Sequence, residues 1–161
     1  MLLIFWTTVD LCLGYNGPMV LLKNKRAFAD YKLEKEFVAG VALTGGEVKS
    51  LRAKSGSLTG SFVKILSNEA FLVNAQVTPY KFADNTEYDP KRTRKLLLRR
   101  RELTELVTIT QSQGRTLVPL QFEALGGKIK LRLAAGRGMK EYEKRERIKK
   151  REWEREKGEM G

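Results

Sequence analysis

Between Lys91 and Arg101 the run KRTRKLLLRRR carries seven positive side chains and no acid, split around Leu96, Leu97 and Leu98. Arginine and lysine flanking a strand can contact successive phosphates, and arginine adds two-pronged geometry. A second cationic stretch, Lys144 to Arg151, has six positive residues and one negative. It lies within a terminal segment, Lys140 to Glu159, in which sixteen of twenty residues are charged. The whole chain leans the same way: 31 Lys and Arg against 19 Asp and Glu leave a formal charge of +12 and a pI near 9.9. Such a surplus gains by displacing counterions from a polyanion, with nucleic acid favoured over a membrane surface. The bland alternative is a set of solvated faces that keep the protein soluble, but such faces normally intersperse acids.

What is missing narrows the chemistry further. There is no histidine and a single cysteine, Cys12. No internal disulfide, Cys/His zinc site or histidine-based acid–base mechanism can therefore be written. No phosphate-cradling loop, dinucleotide fingerprint or calcium loop is present either. A carboxylate-using RNA hydrolase would need a convincing pair of acids, and none stands out. The expectation is a binding protein without catalytic residues, metal or cofactor.

The opening MLLIFWTTVDLCLGYNGPMVLL is apolar yet unlike a targeting segment. A secretory signal starts with positive charge, and no Lys or Arg precedes Lys23; Asp10 breaks the apolar run. Gly14, Gly17 and Pro18 make a poor membrane span. Residues 1–22 are expected to be an extension outside the core, with functional sequence beginning near Met19.

Positioning elements follow from periodicity. Tyr31, Leu33, Phe37, Ala39, Val41 and Leu43 alternate as in a half-buried strand, with a bulge or bend at Gly40. Thr44 and Glu47 have capping-box spacing for a short helix that presents Val48 and Leu51 on one face. Residues 56–66 and 69–77 read as strand-like runs joined at Ser67 and Asn68, and 83–93 as a polar loop. After a short apolar stretch, Leu103, Leu106 and Val107 mark a helix stopped by Gly114. Two strands then flank Gly126 and Gly127, and Pro119 predicts that the first is an edge or carries a bulge. Short strands without β–α alternation predict a mainly β fold: an OB-like closed antiparallel barrel of about six strands with two to three short helices, spanning residues 23–137. A general single-strand-binding OB protein would interleave exposed aromatics over its sheet, whereas most aromatics here sit at positions expected to look inward.

The tail, residues 138–161, has no apolar face. Glu141 to Arg145, Glu143 to Arg147 and Glu146 to Lys150 could pair along a helix, each for about 0.2–0.5 kcal/mol, so it should be only marginally helical by itself. Ordering along a phosphate-lined channel would explain its composition.

Five blocks, NKRAFADY, AGVALTGGEVKSLR, DPKRTRKLLL, TLVPL and EKRERIKKREWE, occur in this order between Asn24 and Glu154. Together they closely resemble the small protein B family, the SsrA-binding proteins of trans-translation. The resemblance implies a six-stranded OB-like barrel and a non-enzymatic adaptor. Such an adaptor binds transfer-messenger RNA at its tRNA-like part and brings it to ribosomes stalled without a stop codon. It implies a cytoplasmic bacterial protein, or an organellar one in a eukaryote, monomeric on RNA and with no membrane partner. RNA contacts are implied for Asn24, Lys25, Arg26, Tyr31, Glu47, Lys49, Arg52, Leu97 and Lys130. Ribosome contacts, at the decoding centre and along the mRNA channel of the small-subunit rRNA, are implied for Gly138, Lys140, Glu143, Lys144, Arg145, Lys149, Lys150, Arg151 and Trp153. Five positions depart from the family pattern: Phe28-Ala29 replaces Arg-His, Val38 replaces Glu, Met139 replaces Lys, and Glu143 replaces Asp.

Overall fold

The protein is described here by a computed structural model covering residues 18–83 and 86–159, so Cys12 and the first part of the N-terminal extension lie outside the described residues. The chain runs β1 (Met19–Lys23), α1 (Lys25–Asp30), β2 (Tyr31–Val41), α2 (Gly45–Arg52), β3 (Gly56–Ser57), β4 (Phe62–Leu66), β5 (Glu69–Val73), β6 (Gln76–Val77), β7 (Arg94–Leu97), α3 (Arg100–Gln113), β8 (Thr116–Leu125), β9 (Lys128–Gly138) and α4 (Glu141–Glu159). All strand pairs are antiparallel, and the large sheet has the order β1-β8-β4-β5-β7-β2-β9. Pairing of β8 with β9 closes the circuit, so the six strands β8, β4, β5, β7, β2 and β9 each have two neighbours within it, and β8 takes β1 as a third.

Local chemistry sets the turns. Ser67 and Asn68 take φ of 47° and 61°, and Gly126 and Gly127 take 55° and 76°, the left-handed pairs that two-residue hairpins need. Gly114, at φ 58°, ends α3 as the spacing predicts. Leu51 of α2 and Leu103 and Leu106 of α3 reach the same core as Phe37, Leu72, Leu96, Phe122, Leu131 and Leu133. Each such burial is worth about 1.5–3 kcal/mol, which fixes both helices against the strands.

A second, smaller cluster of Ala27, Val118, Leu120 and Ala134 lies under α1, with Phe28, Tyr31 and Leu33 packed against it. Two bulges make this possible. The pairing of β2 with β9 slips between Leu33 and Lys35, and that of β8 with β9 slips between Pro119 and Gln121. A one-residue slip exchanges the faces of a strand. Tyr31 and Leu33 therefore serve the small cluster while Phe37 and Ala39, on the same alternation, serve the large one.

Several expectations are corrected by these facts. The β2 bulge is at Glu34, not Gly40; at Gly40 a Cβ would come within 3.2 Å of the Leu97 Cβ, so the glycine permits close strand approach instead. Pro119 marks a bulge as predicted, but its strand is central, bonded to β1, β4 and β9. The boundary of the N-terminal extension also moves, because 19–22 pair with β8 as part of β1 and Leu21 is buried in the main core. Most strand aromatics, Tyr31, Phe37, Phe71 and Phe122, are buried or half-buried as expected, but Phe62 is 42% exposed, and Phe82, in the loop, 81%. Finally, the tail is a regular helix from Glu141 to Glu159, beyond the marginal helicity its pairs alone imply. Among the described residues, no helix is long and apolar enough to cross a membrane.

Candidate nucleic-acid interface

The hydroxyl of Thr44 accepts from the Glu47 amide while the Glu47 carboxylate accepts from the Thr44 amide at 2.9 Å, the capping box predicted from their spacing. That carboxylate is buried. Arg92 reaches it through Nε at 2.9 Å and Nη2 at 2.5 Å, and Arg94 through Nε at 2.9 Å and Nη2 at 2.8 Å. Burial by itself would raise the Glu47 pKa; the hydrogen bonds from Arg92 and the Thr44 amide, together with Arg94, outweigh it and hold the carboxyl at about 2. Arg94, fully buried, also donates to the carbonyls of Ala75 and Pro90. Tyr88 donates to the Val77 carbonyl at 2.9 Å, so one ionic knot ties α2, β6, β7 and the loop before β7.

This knot removes two cations from the run that looked most suited to phosphate. Arg92 and Arg94 neutralise Glu47, and Lys95 pairs with Glu69 at 2.5 Å. Lys91, Arg99, Arg100 and Arg101 remain exposed. One sequence signal was available: Arg94 and Leu96 share a face of β7, and Leu96 is a core residue.

Two surface regions result. At one end of the molecule, Val38, Gly40, Leu97, Leu98, Arg99, Glu102 and Lys130 line a groove of about 490 Å³. An adjoining groove of about 310 Å³ shares Gly40, Leu97 and Lys130 with it and adds Val48 and Lys128. Leu97 is 57% exposed, an apolar contact point ringed by cations. Arg52 of α2 crosses to the Gly127 carbonyl at 3.0 Å beside this groove, whereas the Lys49 ammonium lies 5.3 Å from the Tyr80 ring. The structure thus brings Leu97 and Lys130 together with Arg52 beside them, and turns Lys49 towards Tyr80 instead.

At the other end, Lys25 and Arg26 are exposed on α1 and Tyr31 is half-buried opposite Gly138. Lys130 and Gly138 are eight residues apart on β9, about 26 Å at the rise of a strand. The arm starts here. Met139 donates its amide to the Asp30 carbonyl, Lys144 pairs with Asp30 at 2.9 Å, and Arg147 donates to the Phe28 carbonyl at 3.1 Å. Glu143 accepts from the Lys140 amide and from Arg137, so Glu143 and Arg147 turn to the barrel side rather than to each other as the sequence suggested. The Lys144 pKa is raised by its bond to Asp30. Beyond this root Arg145, Lys149 and Lys150 are exposed, Trp153 is 58% exposed, and Arg151 lies in the same helix.

Two implied RNA-contacting residues are corrected in role. Asn24 is buried, caps α1 by accepting from the Ala27 amide, and donates to the carbonyls of Leu58 and Pro119. Glu47 is equally enclosed. Both position their helices rather than present a surface. Among the departures, Phe28 packs against the small cluster under Lys23, Val38 is 40% exposed in the Leu97 groove, and the Met139 sulfur lies 3.8 Å from Arg147.

Residues 21–160 match the family described as SmpB protein. The chain belongs to the SmpB family. An SsrA-binding protein of Anoxybacillus flavithermus is 45% identical over 137 residues, 85% of this chain and 89% of that one. That of Paraburkholderia xenovorans is 42% identical over 143 residues, 88% and 97% of the two chains, and that of Persephonella marina 42% over 140, 87% and 92%. A solved structure concerned with tmRNA–SmpB at the center of the bacterial ribosome superposes with a TM-score of 0.63 at 41% identity, over 74% of this chain and 85% of its own. This SmpB chain carries the β fold and small helices expected from the strand periodicity.

Proposed function

We propose that the protein is a non-enzymatic adaptor that binds transfer-messenger RNA and delivers it to stalled ribosomes in the bacterial cytoplasm. Membership of the SmpB family over residues 21–160 is the observation that carries this reading. Relatives named for binding SsrA and a structural neighbour described with tmRNA and the ribosome support the choice of partners. The Leu97–Lys130 end offers an apolar point among cations for folded RNA. The opposite end offers Lys25 and Arg26 to RNA and a projecting charged helix to the ribosome, with Lys144 and Glu143 setting the direction in which that helix leaves the barrel.

A pulldown at about 0.1–0.2 M salt tests it, because the sequence-independent phosphate contribution is then reduced. Transfer-messenger RNA should be enriched over bulk tRNA. Equal recovery of the two would sink the reading.

A further inference from the structure

Across α2 from the Leu97–Lys130 groove lies a larger hollow of about 640 Å³, lined by Thr44, Gly46, Tyr80, Ala83, Thr86, Glu87 and Tyr88. Phe82 stands at this loop with 81% of its surface exposed, far more than the other phenylalanines on the exposed side of the protein. Its ring meets Tyr80 edge-on, with centroids 5.7 Å apart and planes at 65°. The Lys49 ammonium sits 5.3 Å from the Tyr80 ring. This loop is not left to itself: Ala83 donates to the Tyr80 carbonyl at 3.1 Å, and Tyr88, Arg92 and Arg94 bind its far end into the Glu47 knot.

We infer that Phe82 and Tyr80 form a stacking platform for an unpaired base of the bound RNA, with Lys49 taking the neighbouring phosphate; this rests on the RNA-binding function proposed above. Three observations select RNA as the occupant. A nearly bare phenylalanine face is costly in water and is matched by the π-face of any base, which is how aromatic side chains hold unpaired nucleotides. The cation beside the pair has the charge a phosphate needs, and Glu47, an acid on the same helix, is enclosed and turned to Arg92 and Arg94 rather than to this surface. Lastly, α2 borders both hollows, presenting Gly46 to this one and Val48 to the Leu97–Lys130 groove, so an RNA seated on the groove continues naturally onto the platform.

Affinity measured by filter binding or anisotropy for full-length transfer-messenger RNA tests this. Phe82→Ala removes an exposed ring and leaves the core intact, so folding is not at issue. It should weaken binding by about 5- to 140-fold, which is what losing one base–aromatic stack of roughly 1–3 kcal/mol amounts to. The salt dependence of binding should stay as it was, since no cation is lost, and Phe82→Trp should restore the affinity. Lys49→Ala should instead lower the salt slope by about one unit. An affinity of Phe82→Ala within twofold of the unsubstituted chain overturns the proposal, and so does a reduced slope in that variant. A platform for a ribosomal protein would give the first of these results. Failure of the underlying function looks different: the unsubstituted chain would bind transfer-messenger RNA no better than tRNA, while the Phe82→Ala ratio, readable on either RNA, would still decide the stack.

Discussion

Glu47 shows how one side chain can look like a contact and be a cornerstone. Its buried carboxylate meets two guanidiniums and a backbone amide, so removing it strands Arg94 as a buried charge. Breaking a buried pair from one side costs about 3–5 kcal/mol, and Glu47→Ala should show this as a lower urea midpoint with an unchanged slope. The same group makes stability depend on acid. Its pKa falls from 4.5 in the open chain to about 2 in the folded one. A depressed carboxyl contributes fully above its unfolded value and loses its contribution as pH drops through the folded value. Between about pH 4.5 and 2 the protein should therefore lose about 3 kcal/mol on this account, read by urea titrations across that range. Glu47→Ala should flatten that part of the pH profile; an equal acid sensitivity in the variant would contradict the assignment.

Among the elements, those legible in the sequence are the ones whose cause is local. Thr44 with Glu47, the Ser67-Asn68 turn and Gly114 announce a cap, a hairpin and a stop by side-chain chemistry within a few residues. What stayed hidden depends on partners distant in sequence. The slip at Glu34 exists because Tyr31 and Leu33 must serve the cluster under α1, and nothing in the alternation of β2 reveals a second cluster. The Arg92–Arg94 knot is of the same kind, since an acid 45 and 47 residues upstream decides that these cations face inward. In the arm the sequence offered only pairs within the helix, yet Glu143 turns to Arg137 and Arg147 to the Phe28 carbonyl, and Asp30, which receives Lys144, was not readable. That anchor gives the arm graded stability. Lys144 and Arg147 hold the first two turns to α1. Hydrogen exchange should show amides around 144–147 protected and those beyond Trp153 fast. Asp30→Ala should speed the former towards the latter, and unaltered protection in that variant would remove Asp30 as the anchor.

At the scale of the whole molecule, β9 is the ruler. Its far ends carry Lys130, paired across to Gly40, and Gly138, paired across to Tyr31, and they hold the two cationic regions about 26 Å apart on a closed circuit of strands. That span is about three times the Debye length of about 8–10 Å near physiological salt, so a charge at one end barely feels the other. Lys25 and Lys130 should then act on RNA independently. If both touch phosphates of one bound RNA, each Ala substitution should reduce the salt slope by about one unit and the double substitution by about two, with free energies that add to within a few tenths of a kcal/mol. If transfer-messenger RNA occupies only the Leu97–Lys130 end, Lys130→Ala alone should change the slope and Lys25→Ala should leave it untouched until ribosomes are present. Either pattern is compatible with a rigid spacer between two surfaces. Strong coupling between the two substitutions is not, because the barrel offers no short electrostatic route from one end to the other, and that outcome would mean the RNA itself bends to bring both lysines to a single site.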